Sequence, residues 1–235
     1  MTYKVNRAAI PSMNMVGQEK TPVFILDNFL ENLTASLLHE KERLGFSPAP
    51  TYYPGIRAKL PEAYILAVAQ AVVPLLCKIY AVPTNSKIQF FDSYYSLVTC
   101  EPEQLSIEQQ IPHFDGTEQN RFALLHYLNP APHGGTAFYR HTSTNIERVN
   151  EQNVDKFLNS VGQNTRPNDD TNPGYITDSN SNFTKIGEVP YAQNRMVIYP
   201  GNLLHSGVIN NATDIDESPI TGRLTANIFL SFQTV

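Results

Sequence analysis

From residue 87 onward the chain is a succession of short segments rich in β-branched and aromatic residues, broken by glycine, proline and asparagine. Ile88-Gln-Phe-Phe-Asp-Ser-Tyr-Tyr-Ser-Leu-Val-Thr99 opens the series, and Arg121–Leu128, Gly135–His141, Arg195–Tyr199 and Arg223–Phe232 continue it. Such runs predict strands. Arg121–Leu128 and Gly135–His141 are expected to pair across the turn Asn129-Pro-Ala-Pro-His-Gly134. Helical signals come earlier. Leu33–Leu44 and a second segment over 61–80, with Pro74 as a kink, carry apolar residues at helical spacing. Two helices followed by about eight short strands predict a mainly β chain: an antiparallel double-sheet jelly roll, a double-stranded β-helix of cupin-like form, with a helical layer on one face.

Residues 1–21 read as an irregular lead-in and 22–235 as a single domain, of which 22–80 supply the opening strand and helices and 88–235 the β core. Residues 46–61, with Pro48, Pro50, Pro54 and Pro61, read as loop. The compositional outlier is 142–190, rich in Asn, Asp, Ser and Thr, with a helix expected at Asn145–Leu158; an insert of that length predicts a lid or a loop. Val23-Phe-Ile-Leu-Asp-Asn-Phe29 reads as a buried strand.

Seventeen basic against 22 acidic residues give a net charge of −5, and no basic run is present, which argues against a nucleic-acid partner. No stretch reaches the ~20 apolar residues of a membrane span. Cys77 and Cys100 fit no paired metal spacing and are expected to be free thiols, consistent with a cytoplasmic protein.

The chemistry-bearing residues lie in the β-rich part. His113 and Asp115, two apart in Ile111-Pro-His-Phe-Asp-Gly116, share one face of an extended segment because side chains alternate along a strand. His205, delivered by the turn Tyr199-Pro-Gly-Asn202, could complete a set of two imidazoles and one carboxylate. That set leaves coordination positions open and marks mononuclear non-haem Fe(II) oxygenases. Arg223 stands in an otherwise neutral strand, where a guanidinium needs a partner and is suited to gripping a carboxylate; Thr225 shares its face. His141 is the rival ligand, His126 reads as structural, and His133 and His39 as solvent-facing. Either Tyr94 or Tyr95 should face the site. Tyr52-Tyr-Pro-Gly-Ile-Arg57 places aromatics and a cation in the loop region.

His113-x-Asp115, His205 and Arg223 together resemble the Fe(II)/2-oxoglutarate-dependent dioxygenase superfamily. The likeness is greatest to its prolyl-hydroxylase-like branch, through Leu124-Leu-His-Tyr127-Leu-Asn129 followed by His133-Gly-Gly-Thr-Ala-Phe138 and through the opening segment Val23–Leu30. It spans most of 22–235. The resemblance implies that His113, Asp115 and His205 ligate Fe(II), and that Arg223, Thr225 and the Tyr127 hydroxyl hold 2-oxoglutarate. It further implies that a small-molecule or peptidyl substrate is hydroxylated with release of succinate and carbon dioxide. An extra loop at Asn210–Pro219 and the 142–190 insert depart from the family pattern. A non-catalytic jelly-roll binding module with a vestigial or structural metal site, and a metal enzyme that uses no 2-oxoglutarate, are the alternatives. The orientation of Arg223 and Thr225 discriminates among them.

Overall fold

The computed structural model describes residues 3–33, 44–49, 51–83, 85–130, 132–164 and 174–233. Its strands are β1 Ser12–Val16, β2 Thr21–Leu26, β3 Ser47–Pro48, β4 Gly55–Lys59, β5 Lys87–Val98, β6 Arg121–Tyr127, β7 Thr136–His141, β8 Phe183–Val189, β9 Arg195–Pro200, β10 His205–Gly207 and β11 Thr225–Gln233. They form an eight-stranded sheet in the order β1-β2-β9-β6-β11-β5-β4-β3 and a three-stranded sheet β10-β7-β8, with antiparallel pairing throughout. Two α-helices have their full spans among the described residues, α1 Glu62–Ile79 and α2 Val154–Asn164, and short 3-10 turns at Pro102–Gln104 and Ile107–Gln110 precede the His113 segment.

Strand alternation sorts the side chains into layers. Along β6, Phe122 and Leu124 join a core with Tyr64, Val68, Val72 and Leu76 of α1, while Ala123, Leu125 and Tyr127 face Phe138 and Val189 of the smaller sheet. The sheet-to-sheet core draws on β1, β2, β6, β7, β8 and β9, and no described residue of β4 or β5 belongs to it. A third cluster, with Tyr139, Val149, Phe157, Ile176 and Phe183, backs the smaller sheet.

Several expectations need correction. The lead-in is not irregular throughout: β1 pairs with β2 from Ser12↔Ile25 to Val16↔Thr21. Gly17 and Lys20, at φ 68° and 52°, turn that hairpin. Its outer strand is exposed at four of five positions, so it carries no burial alternation to read. Residues 46–61 hold the hairpin β3–β4, with Ser47↔Arg57 and Pro48↔Ile56 in register. β6 and β7 do not pair, because the segment between them crosses from one sheet to the other. The helix expected at 145–158 begins at Val154 instead. Ile146 forms a β-bridge with His141, and the Asn150 side chain accepts from the Gln152 and Asn153 amides before the helix starts.

The described parts of 142–190 are scaffold rather than lid. β8 completes the smaller sheet and α2 packs Phe157 beneath it. Of the expected helical layer, the described residues show α1 on the large sheet. The body of the Leu33–Leu44 helix, 34–43, lies outside the described residues, as does 165–173 of the polar tract. By length and composition alone α1 would pass for a membrane span, against the expectation that no stretch does; its Tyr64, Val68, Val72 and Leu76 are buried against the sheet.

Candidate metal centre and its sheet floor

His113 and His205 are joined main chain to main chain, each amide donating to the other's carbonyl at 2.9 Å. Asp115 extends the pairing, its amide donating to Gly201 O at 2.6 Å. His205 is also in register with Phe138 of β7. The extended segment carrying His113 and Asp115 is thereby fixed to the edge of the smaller sheet, and all three side chains turn to one point. His113 Nε2 lies 4.0 Å from Asp115 Oδ1, and His205 Nε2 lies 3.8 Å from Asp115 Oδ2. One ligand atom from each falls within 4.8 Å of the others, so the group can hold a metal ion. Bonds of ~2.1 Å at right angles would separate the ligand atoms by ~3 Å, a small closure from the observed spacing.

Two features of the group suit a cation. His205 Nδ1 lies 2.8 Å from the Leu203 carbonyl, which can only accept, so Nδ1 carries the proton and Nε2 presents a lone pair to the group. Asp115 Oδ2 is buried without a hydrogen-bond partner, a costly state that coordination would relieve. The electrostatics follow from burial. Loss of solvent pushes His205 down to about 4 and Asp115 up to about 6, with His113, Arg121 and Arg57 drawing Asp115 back. Desolvation and then His205 lower His113 as well, an effect limited by the 56% exposure of its side chain. Neutral imidazoles beside a carboxylate that is still ionised at neutral pH are the forms that bind metal.

The large sheet forms the floor. Register places Arg57 beside Ser96, Ser96 beside Thr225 and Thr225 beside Tyr127, one row across β4, β5, β11 and β6. Arg223, just before β11, is buried, with Nε donating to Gly134 O at 2.7 Å and Nη2 to Gly135 O at 2.8 Å. Its guanidinium lies 5.7 Å from the centre of the Tyr127 ring. The Tyr127 hydroxyl pairs with Thr136 Oγ1 at 2.8 Å, and Thr225 Oγ1 accepts from Asn227 at 3.0 Å. Tyr199 links this floor to the metal group: its ring is 4.8 Å from that of His205, and its hydroxyl feels the charges of both Asp115 and Arg223.

The extra loop at Asn210–Pro219 has a clear task. Asp214, fully buried, accepts from the amides of Gly134 and Asn210 at 2.9 and 2.8 Å, from Thr213 Oγ1 at 3.1 Å, and pairs with His133 Nδ1 at 2.9 Å. It pins the carbonyls that hold Arg223. Gly134 is obligatory there, since a Cβ would fall on the Val208 carbonyl oxygen. His133 is therefore bonded rather than solvent-facing, its side chain 5% exposed. His141 is no ligand. It sits between the rings of Phe157 and Phe183, with Nδ1 on Thr144 Oγ1 at 2.8 Å. His126 lies between the Tyr64 hydroxyl and Asn194 in the interior, and His39 is outside the described residues. Tyr95 faces the α1 core, whereas Tyr94 lies on the site side near Arg57. Arg57, expected as a cation in a loop, lies on strand β4 at the site side, and Tyr199, read only as the start of a turn, is a site-side residue as well; alternation in Gly55-Ile-Arg-Ala-Lys59 is the signal for the first.

Comparison with solved structures gives low-identity neighbours. One is the non-heme alpha ketoglutarate dependent epimerase SnoN from nogalamycin biosynthesis, at 12% identity and TM-score 0.50, covering 90% of this chain and 78% of that one. Its fold is the fold seen here. HygX from Streptomyces hygroscopicus also matches, at 14% identity and TM-score 0.48 over 93% of this chain and 87% of its own, in a structure with nickel, 2-oxoglutarate and hygromycin B bound. No curated protein matches the sequence. Residues 7–230 match the model of DUF6445, described as a family of unknown function, and the chain belongs to that family.

Proposed function

We propose that this protein is an Fe(II)- and 2-oxoglutarate-dependent oxygenase on a jelly-roll scaffold, hydroxylating a small-molecule or peptidyl substrate with release of succinate and carbon dioxide. The observation that carries the reading is the convergence of His113, Asp115 and His205 beside a sheet floor that holds Arg223. The orphaned Asp115 Oδ2 supports a resident cation over a vestigial site. SnoN's dependence on alpha ketoglutarate is in keeping with this reading, although a shared fold alone does not fix a reaction. The Tyr127-Leu-Asn129 and Gly134-Gly135 segments, on either side of the crossing between the sheets, favour the prolyl-hydroxylase-like branch.

When bound together, Fe(II) and 2-oxoglutarate would supply oxygen activation for attack on an unactivated C–H bond. The chain's own groups position them. His113, Asp115 and His205 would hold the metal, with His205 fixed in its tautomer by Leu203. Two of the five N–H donors of Arg223 are spent on Gly134 and Gly135, which aims the planar fork and leaves its remaining Nη donors for the far carboxylate of 2-oxoglutarate. Thr225 and Tyr127 would lend hydroxyls from the neighbouring register positions. Free Cys77 and Cys100 suit a reducing, cytoplasmic setting; neither a nucleic acid nor a membrane is a proposed partner.

Anaerobic addition of Fe(II) and then 2-oxoglutarate should produce the visible charge-transfer band of the chelate. His113→Ala should abolish it, and Arg223→Gln should keep iron binding while raising the 2-oxoglutarate required by at least about tenfold. Iron bound without a band in the wild type would refute the cosubstrate.

A further inference from the structure

β4 presents a second arginine to the same face. Ile56 and Ala58 pack with the α1 core, so alternation turns Arg57 to the opposite side, where Ser96 and Thr225 follow it in register. With strands spaced ~4.8 Å apart, Arg57 stands about 10 Å from Thr225 along the row. That backbone position is distinct from the one at Thr225, next to which Arg223 leads into β11.

The side chain is held but not satisfied. Its guanidinium lies 4.3 Å from the centre of the Tyr53 ring and 5.6 Å from that of Tyr94, with Nη1 3.5 Å from Thr51 Oγ1. Nε is buried and has no hydrogen-bond partner. No carboxylate comes within ion-pair distance of Arg57 among the described residues. The carboxylates whose charge it feels are Asp92, exposed to solvent, and Asp115, which a metal would claim. It stands on the face of the large sheet that Tyr127 turns toward the smaller sheet, the side on which His205 lies. A half-buried guanidinium with an orphaned donor, pre-set between two tyrosines, costs free energy that a bound anion would recover.

We infer that Arg57, flanked by Tyr53 and Tyr94, is a second anion site that receives a carboxylate carried by the substrate itself, separate from the position at Arg223. The inference rests on the oxygenase reading and names its substrate class, a carboxylic acid whose body extends from Arg57 toward the metal group.

The test uses the full chain under anaerobic Fe(II) and 2-oxoglutarate, titrated by calorimetry with phenylacetate and with its neutral isostere phenylacetamide. The acid should bind at least about tenfold more tightly than the amide. Arg57→Gln should remove the preference while leaving the charge-transfer band at its wild-type 2-oxoglutarate concentration. Arg57→Lys keeps the charge but lacks the planar fork, so it should cut the preference several-fold with the same band, and it carries the test if the glutamine variant does not fold. Equal binding of acid and amide, binding of neither, or a preference that survives both substitutions overturns the inference. So does an Arg57→Gln protein that needs tenfold more 2-oxoglutarate, because Arg57 would then serve the cosubstrate. A wild type that never develops the band refutes the oxygenase reading instead, and the acid-over-amide comparison on that same protein still decides whether Arg57 binds anions.

Discussion

Replacing Asp214 with alanine should loosen the floor of the site from a distance. The carboxylate is fully buried and is the acceptor for two backbone amides, Gly134 and Asn210, and partner to two side chains, His133 and Thr213. Truncation leaves the two amides without that acceptor, at about 1–3 kcal/mol each, so about 4 kcal/mol is the expected loss. For a domain of this size that corresponds to a fall in Tm of about 8–16 °C. Asp214→Asn, which keeps one acceptor oxygen, should lose about half as much. Burial alone would raise the Asp214 carboxyl, yet the bonds from His133, Asn210 and Gly134 outweigh it and hold it below the usual range. Its contribution is therefore present above the ordinary carboxylate pKa of ~3.9 and disappears only as pH falls through the lower folded value. The gap between wild type and Asp214→Ala should accordingly be constant from about pH 5 to 7 and close only in stronger acid. Thermal unfolding followed by circular dichroism measures it. Because Gly134 and Gly135 orient Arg223, 2-oxoglutarate affinity should also drop by about tenfold. A Tm change under about 3 °C with unaltered cosubstrate affinity would refute the claim that this network holds the arginine.

Iron binding should depend on acid in a defined window. With Asp115 raised to about 6, protons compete for the carboxylate below that pH, and Fe(II) affinity should fall about tenfold per pH unit there while staying level above it. An anaerobic Fe(II) titration from pH 5 to 8 that shows no such break, or an Asp115→Asn protein that keeps it, contradicts the assignment. His126 should report on the interior. Burial lowers it to about 4 against ~6.5 unfolded, so the folded state resists protonation and stability is lost as pH falls between those values. At pH 5 the loss should be about 2 kcal/mol. In urea unfolding, the advantage of wild type over His126→Gln should shrink by that amount between pH 7 and pH 5; an unchanged gap would mean that His126 is not buried neutral.

The metal group was legible because it obeys a local rule. His113 and Asp115 are two apart on an extended segment, and His205 follows a turn that announces itself. Arg223 stood out as a charge in an apolar strand. Arg57 is visible as a cation beside aromatics, but its strand is not, since four prolines between 46 and 61 signal a loop and only pairing with β5 makes Gly55–Lys59 a strand. The short connection suggests that β6 pairs with β7, yet they enter different sheets, because proximity in sequence says nothing about which sheet a strand enters. The bond between His133 and Asp214 spans 81 residues and has no local trace at all. At α2 the local pattern itself misleads: Ile146 and Val149 stand at helical spacing ahead of Val154, but the Asn150 side chain occupies the amides that an earlier helix would need.

Eight strands facing three leave a part of the large sheet that the smaller one does not cover, and Arg57, Tyr94 and Ser96 are set in it. Mutations on that strip need not disturb the interface between the sheets or the bonds that fix the metal ligands. In this chain, then, Arg57 and Tyr94 can be exchanged without touching the pairing of β6, β9 and β10, whereas Gly55 of β4 cannot take a side chain because a Cβ would meet the Leu97 carbonyl.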